Sequence, residues 1–358
     1  QLKISEDNQF FASCSNDGTV RIWDCQKLEK KVTNRSRLIF DQHAQGGKLL
    51  SLSILEHSHS IACGSENGRI SIFRVESEQR KDLIDYKQCT PIERVFSTSG
   101  AITSMDHFNK KMQSLLVCST SAGFIHGFDL RIKNTAFELD NTSKAGAITS
   151  MIIDSSHNWL LTGTVRGCYT CWDLRFNIPV AKWWQPGNDN HIYKLASMGG
   201  TKFLSSVGNG EVYLWDIKGQ TMKGVWQVLE EEKSNITIER NGESPTPKTH
   251  AERLKNLPLQ TRNHRALLVS PGYGYFFTGS TDKCLRYWNL ANISRSFVVS
   301  GLNLNQQRKY VNEKRDGLDI YQEIPAINQY QSSSSIDIRQ PGTPSVNHHD
   351  SILDIALA

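Results

Sequence analysis

Cys168 and Cys171 are separated by two residues, the spacing at which paired thiols hold a metal ion or exchange a disulfide. Their surroundings argue against both. Tyr169, Thr170 and Trp172-Asp173 carry a β pattern through the pair, and residues three apart on a regular strand point to opposite faces. No second cysteine pair completes a zinc set. His348-His349-Asp350 has the residue types of a ligand cluster, but it stands just before an apolar stretch at 352–357. A hydrogen-bonding role inside a sheet accounts for it, and His43, His191 and His264, in broadly similar positions, take the same reading. Asp129-Leu130-Arg131 and Asp173-Leu174-Arg175 lack the context of a kinase catalytic loop. There is no glycine-rich phosphate loop, and no Ser-His-Asp or paired-carboxylate set can be assigned. The chain reads as non-catalytic, with no catalytic, cofactor-binding or metal-ligating residue and no cofactor.

The elements around these residues repeat. Gly100-Ala101-Ile102-Thr103-Ser104-Met105 returns as Gly146-Ala147-Ile148-Thr149-Ser150-Met151, 46 residues later. Each hexamer is followed by an apolar strand, a tight polar turn and a strand closing on an aromatic residue: LLVCSTSAGFIHGFDL at 115–130 and WLLTGTVRGCYTCWDL at 159–174. Four more copies are FFASCSNDGTVRIWDC at 10–25, SIACGSENGRISIFRV at 60–75, FLSSVGNGEVYLWDI at 203–217 and FFTGSTDKCLRYWNL at 276–290. The closing aromatics are Trp23, Phe73, Phe128, Trp172, Trp215 and Trp288. Most recur near the period of about 40–45 residues expected of a propeller blade. The hexamer lies where the innermost strand of a blade begins, and its small and β-branched residues suit a crowded strand. The stretches 2–5, 49–55, 192–198, 265–270 and 352–357 read as the other inner strands.

These copies resemble the WD40 repeat. The resemblance implies an all-β, seven-bladed WD40 β-propeller over 1–358, with blades near 2–40, 48–90, 101–140, 147–185, 192–228 and 264–301. A seventh blade, 352–358, is incomplete in this chain, so the sequence reads as an excerpt of a longer protein. Insertions at 230–263 and 302–347 break the period and read as surface excursions; they contain Ser244-Pro245-Thr246-Pro247 and QYQSSSSIDIRQPGTPS. In a WD repeat a turn aspartate, a histidine, a Ser or Thr and the closing tryptophan can form a buried network. Asp17 with Trp23, and Asp282 with Trp288, fit the turn and tryptophan parts. Asn67, Ala122, Arg166 and Asn209 depart at the turn, and Phe73 and Phe128 depart at the aromatic position.

Composition narrows the partners. The net charge of +5, from 41 basic and 36 acidic residues, is a mild bias that demands no nucleic acid. Lys27, Lys30, Lys31, Arg35 and Arg37 read as a solvated outer strand and loop, and no basic groove carries interleaved stacking aromatics. Eight cysteines in 358 residues are too few for a disulfide scaffold. Six of them, Cys14, Cys63, Cys118, Cys168, Cys171 and Cys284, sit in strand-like text as small buried hydrophobes of a reducing compartment. No apolar run approaches the roughly 18 residues of a spanning helix, and the opening QLKISEDNQFF looks folded rather than like a secretory leader.

SNDGTVRIWD at 15–24, CWDLRFNIPV at 171–180, YWNLANISRSFVVSG at 287–301 and HHDSILDIA at 348–356 point further. Together they resemble the C-terminal propeller of the kinase-like regulatory subunit of the vacuolar, class III phosphatidylinositol 3-kinase. The resemblance covers nearly the whole chain, and 287–301 carries most of it. It implies a separate N-terminal serine/threonine-kinase-like domain, none of whose residues lies in this chain. It also implies a scaffold whose partners are the lipid kinase catalytic subunit and the coiled-coil subunits of autophagy and endosomal sorting. The site implied is cytoplasmic and peripheral, on endosome, Golgi or vacuole-type membranes, with membrane association supplied by other parts of the complex. The alternatives are a WD40 adaptor of another pathway, such as a ubiquitin-ligase substrate receptor or a G-protein β-like scaffold, and a propeller enzyme.

Overall fold

The computed structural model describes residues 1–25, 36–41, 47–75, 77–80, 83–86, 92–110, 112–132, 135–141, 143–187, 191–229, 263–270, 272, 274–301, 308–325 and 352–356. Blade one is β1 (Leu2–Ile4), β2 (Phe10–Cys14), β3 (Thr19–Asp24) and β4 (Arg37–Asp41). Blade two is β5 (Leu49–Ile54), β6 (Ser60–Ser65) and β7 (Arg69–Arg74); after a separate hairpin, β8 (Ser77–Arg80) and β9 (Leu83–Tyr86), it is completed by β10 (Ile92–Ser97). Blade three is β11 (Ile102–Lys110), β12 (Gln113–Thr120), β13 (Phe124–Asp129) and β14 (Thr135–Asp140). Blade four is β15 (Ile148–Ile153), β16 (Trp159–Thr164), β17 (Cys168–Asp173) and β18 (Ile178–Trp184). Blade five is β19 (Ile192–Gly199), β20 (Lys202–Val207), β21 (Val212–Asp216) and β22 (Thr221–Val228). Blade six is β23 (His264–Ser270), β24 (Tyr275–Ser280), β25 (Leu285–Asn289) and β26 (Phe297–Ser300). A last hairpin, β27 (Arg308–Arg315) and β28 (Leu318–Pro325), falls inside the stretch read as an insertion at 302–347 and joins the outer edge of blade five.

The hexamer is the bulged start of an inner strand. Ile102 pairs with Thr120 and Ser104 with Ser119, so Thr103 is the extra residue; Ile148 and Ser150 pair with Thr164 and Gly163 around Thr149 in the same way. Such a bulge bends the strand and raises its twist where it enters the crowded centre. The leading glycines, Gly100 and Gly146, stand at φ of 83° and 80°, which glycine adopts without the Cβ strain of other residues. The buried hexamer residues Ile102, Met105, Ile148 and Met151 enter apolar cores that lie between blades. Five such cores join blades one to two, two to three, three to four, four to five and five to six among the described residues. Each Phe, Ile or Leu fully buried there contributes on the order of 1.5–3 kcal/mol, which is why no single blade needs a core of its own.

The expected seven blades are corrected to six. Among the described residues there are six four-stranded blades, and the stretch 352–356, read as the inner strand of a seventh, pairs in no sheet. The reason is that, among the described residues, no strand lies beside it to complete a ladder. Its one backbone bond to blade six runs from the Ile352 N–H to the Ser280 carbonyl, at 3.3 Å. Its side chains reach both ends of the ring instead. Ile352 packs over Gly279 of blade six. Asp354 Oδ2 accepts the Leu2 N–H of blade one at 2.9 Å, and its Oδ1 meets Lys194 Nζ at 3.5 Å.

Candidate interaction surface

The positions marked by the repeat close turns or fill the joints between blades. In blade one Asp17 Oδ1 accepts the Thr19 N–H at 2.9 Å and the Thr19 hydroxyl at 2.7 Å, closing its own turn. Trp23 Nε1 donates to Ser13 Oγ at 3.1 Å, and in blade six Trp288 Nε1 donates to Thr278 Oγ1 at 2.9 Å. Phe73, Phe128, Trp172 and Trp215 are buried between blades. Cys168 and Cys171 are buried as well, and Cys168 Sγ faces Thr170 Oγ1 on its own side of the strand. Burial pushes the Cys171 thiol up to about 11 and raises Cys168 too, so neither is a thiolate at neutral pH. His264 is buried, and His191 lies against Tyr193 with ring centres 4.4 Å apart. His43, His348, His349, Asp350, the cluster from Lys27 to Arg35 and the insertion core at 231–262 lie outside the described residues. Among the described residues no three His, Cys, Asp or Glu side chains are grouped to hold a metal ion, and no helix is long and apolar enough to cross a membrane.

What the blades present outward is a rim of turns linked hand to hand. His57 Nδ1 and Glu6 Oε2 lie 3.1 Å apart, and His59 Nε2 and Asp7 Oδ2 lie 2.9 Å apart, joining blades two and one. Glu56 gives its N–H to His107 Nδ1 at 2.9 Å and takes the Asn109 N–H on Oε2 at 2.6 Å, joining blades two and three. Lys110 Nζ donates to the His157 carbonyl at 2.8 Å, joining blades three and four. Phe108 and His157 stack beside it at 4.4 Å. The outermost strands carry apolar groups in solvent: Ile178, Val180 and Trp184 on β18, and Phe297 and Val299 on β26, each about 40–64% exposed. This arrangement can hold a surface rigidly against another protein.

Sequence reasoning missed the charged residues that sit deepest. Arg286 on β25 and Glu323 on β28 are both fully buried. Arg286 Nε donates to Glu323 Oε2 at 2.9 Å, Arg286 Nη1 donates to Ser280 Oγ at 2.7 Å and to Asp282 Oδ1 at 3.1 Å, and Arg308 pairs with the other oxygen of Glu323. Burial opposes the charge on Asp282, but the bonds from Arg286 prevail and hold its carboxyl well below the usual carboxylate range. The available signal was Asp282 four residues before Arg286 around a turn; Glu323, 37 residues further on, gave none.

A family model described as "WD domain, G-beta repeat" matches residues 1–24. The probable serine/threonine-protein kinase vps15 of Dictyostelium discoideum is 45% identical over 183 residues, which is 50% of this chain and 9% of that protein. The serine/threonine-protein kinase VPS15 of Arabidopsis thaliana is 29% identical over 333 residues, 85% of this chain and 22% of that protein. The chain therefore spans under a quarter of the length of these curated relatives. Among solved structures, the WD40 β-propeller domain of Doa1 superposes with a TM-score of 0.57 at 13% identity, covering 84% of this chain and 82% of that one. A chain of the mitotic checkpoint complex gives 0.57 at 14% identity, covering 83% and 74%. At those identities the likeness is one of fold.

Proposed function

We propose a scaffolding role for this chain, which is a WD40 β-propeller domain homologous to the Vps15 family. In this reading it is the non-catalytic part of a regulatory subunit that organises a phosphatidylinositol 3-kinase complex for autophagy and for endosomal or vacuolar sorting. The kinase named in its relatives belongs to a separate domain. The observation that carries the reading is the 45% identity over 183 residues to the Dictyostelium protein. The site supports it: the repeat-marked residues close turns and fill the joints between blades, leaving a stiff rim of linked turns and half-exposed apolar outer strands. A rigid surface loses little conformational freedom when it is bound. Its partners in this reading are the lipid kinase catalytic subunit and the coiled-coil subunits, with the complex peripheral on endosome, Golgi or vacuole-type membranes and the membrane contact made elsewhere. Purified coiled-coil subunits should be retained by the folded, immobilised chain and should co-elute with it. Failure to retain them, with recovery of unrelated complexes instead, overturns the assignment. That outcome would favour a WD40 adaptor of another pathway, a reading that draws support from 25% identity over 218 residues to the WD repeat-containing protein 91 homolog of Dictyostelium discoideum.

A further inference from the structure

The outer strands of blades four and five follow the same path. In blade five, β21 and β22 pair Val212 with Trp226, Tyr213 with Val225 and Leu214 with Gly224, then slip past Lys223 to pair Trp215 with Met222. In blade four, β17 and β18 pair Tyr169 with Trp183, Thr170 with Lys182 and Cys171 with Ala181, then slip past Val180 to pair Trp172 with Pro179. Residues 181–185 therefore stand where 224–228 stand. In blade five those residues carry a further, parallel strand, the part of β28 from Asp319 to Glu323. In blade four, β18 is the last strand of its sheet among the described residues. Pro179, which has no N–H, and the bulge at Val180 close the other end of β18 to pairing.

The surroundings of 181–185 are apolar and basic. Of the eleven large apolar side chains exposed among the described residues, five belong to blade four: Val165, Phe176, Ile178, Val180 and Trp184. From 143 to 187 the cations are Lys144, Arg166, Arg175 and Lys182, and the anions are Asp154 and Asp173. Both anions are engaged within the blade. Asp154 accepts the N–H groups of Ser156, Asn158 and Trp159, and Asp173 holds Arg175. Gln185 gives its N–H to the Gly167 carbonyl at 2.7 Å, which brings the end of β18 beside Arg166; Arg166 Nη1 in turn reaches the Lys144 carbonyl at 3.1 Å. The outer strand of blade three differs in sign, since β14 exposes Glu138 and Asp140.

We propose that residues 181–185 bind an extended partner segment that combines apolar and acidic residues, added in parallel as a fifth strand of blade four. Main-chain bonds hold such a segment and the flanking side chains select it. Its apolar residues cover Trp184, and its last acid falls beside Arg166, as Glu323 at the end of the β28 ladder meets Arg286. A second copy of blade four brings like charges together and is the poorer occupant. The proposal is independent of the coiled-coil subunits: a helix cannot enter a strand ladder, so their retention and the result below can fail separately.

The probe is a fluorescently labelled peptide with the sequence of residues 318–323, LDIYQE, titrated against the full folded chain and read by anisotropy. It should bind saturably below about 1 mM. Arg166→Glu and Trp184→Thr, both at exposed positions, should each weaken binding at least about fivefold, as should Asp319→Lys with Glu323→Lys in the peptide. Because Gln185 gives its N–H inward, the Trp184 N–H points outward. Saturating peptide should slow exchange of that amide at least about tenfold in the wild-type chain. Absence of saturable binding, equal binding of the lysine-bearing peptide, or unchanged exchange at Trp184 overturns the proposal. So does binding that survives both chain substitutions, which puts the peptide elsewhere. Protection of the Trp184 amide that grows with chain concentration alone makes a second copy the occupant and overturns it as well.

Discussion

Trp288 and Phe128 occupy the same place in two blades, and the residue ten positions earlier differs to match. Behind Trp23 and Trp288 stand Ser13 and Thr278, hydroxyls that accept the indole N–H. Behind Phe73 and Phe128, which have no N–H to give, stand Cys63 and Cys118, both fully buried. A buried donor without an acceptor costs about 1–3 kcal/mol, and in blades one and six the hydroxyl meets that need. His107 shows the same economy with a titratable ring. Buried at 5% exposure, it accepts the Glu56 N–H on Nδ1 and faces Ser114 Oγ with Nε2 at 2.9 Å. Burial pushes it down to about 4, below an ordinary value of about 6.5. Between those values the unfolded chain takes up a proton that the folded chain refuses. The stability tied to neutral His107 is therefore whole above about pH 6.5 and is lost as pH falls toward 4, by about 3 kcal/mol in all. Urea unfolding at pH 7 and pH 4.5 should show about 2–3 kcal/mol less acid loss in His107→Gln than in wild type; equal losses in both would refute the assignment.

At the scale of the element, a strand position that looks like a weakness proves to be a contact. Gly64 in β6 (SIACGS) and Gly163 in β16 (WLLTGT) stand one place before the end of the second strand of their blades. Each lies under the first isoleucine of the next inner strand: a Cβ at Gly64 would stand 2.5 Å from Ile102 Cγ2, and one at Gly163 would stand 2.7 Å from Ile192 Cγ2. Glycine is there because the neighbouring blade fills the space a side chain would need. Gly163→Ala should lower the unfolding free energy by about 1–3 kcal/mol through overpacking, measured by denaturant titration. A neutral result would mean that the joint between blades four and five has slack. Part of this was readable beforehand: the GAITSM copies announce an inner strand by their repetition. That Ile102 seats on Gly64 was not readable, because the two residues meet across separate sheets.

For the molecule as a whole, the inner strands hand one bond forward around the ring. Gln1 Oε1 accepts the Leu52 N–H at 2.7 Å, Ser150 Oγ accepts the Leu195 N–H at 3.0 Å, and Asp354 Oδ2 accepts the Leu2 N–H at 2.9 Å. The first bond joins the residue before β1 to β5, the second joins β15 to β19, and the third brings a stretch that forms no strand against blade one. Asp354→Ala should speed exchange of the β1 amides by about tenfold, since one lost bond of about 1.4 kcal/mol has that effect. Blades two to five should be unaffected. If β1 keeps its protection, Asp354 is not what holds the ends of the ring together.

The amino-acid sequence alone determined the repeat, the all-β class and the places of the first six inner strands, because strand period, turn chemistry and the closing aromatics are local and recur at near-regular intervals. It grouped Asp17, Trp23, Asp282 and Trp288 by their place in the repeat, without showing which partner each would meet. The blade count, the hairpin seated on blade five and the Arg286–Glu323 pair were decided by tertiary structure. Each depends on whether a distant segment finds an unpaired edge or an uncompensated charge to satisfy. That is a matter of three-dimensional proximity, and the separation of 37 positions between Arg286 and Glu323 carries no trace of it.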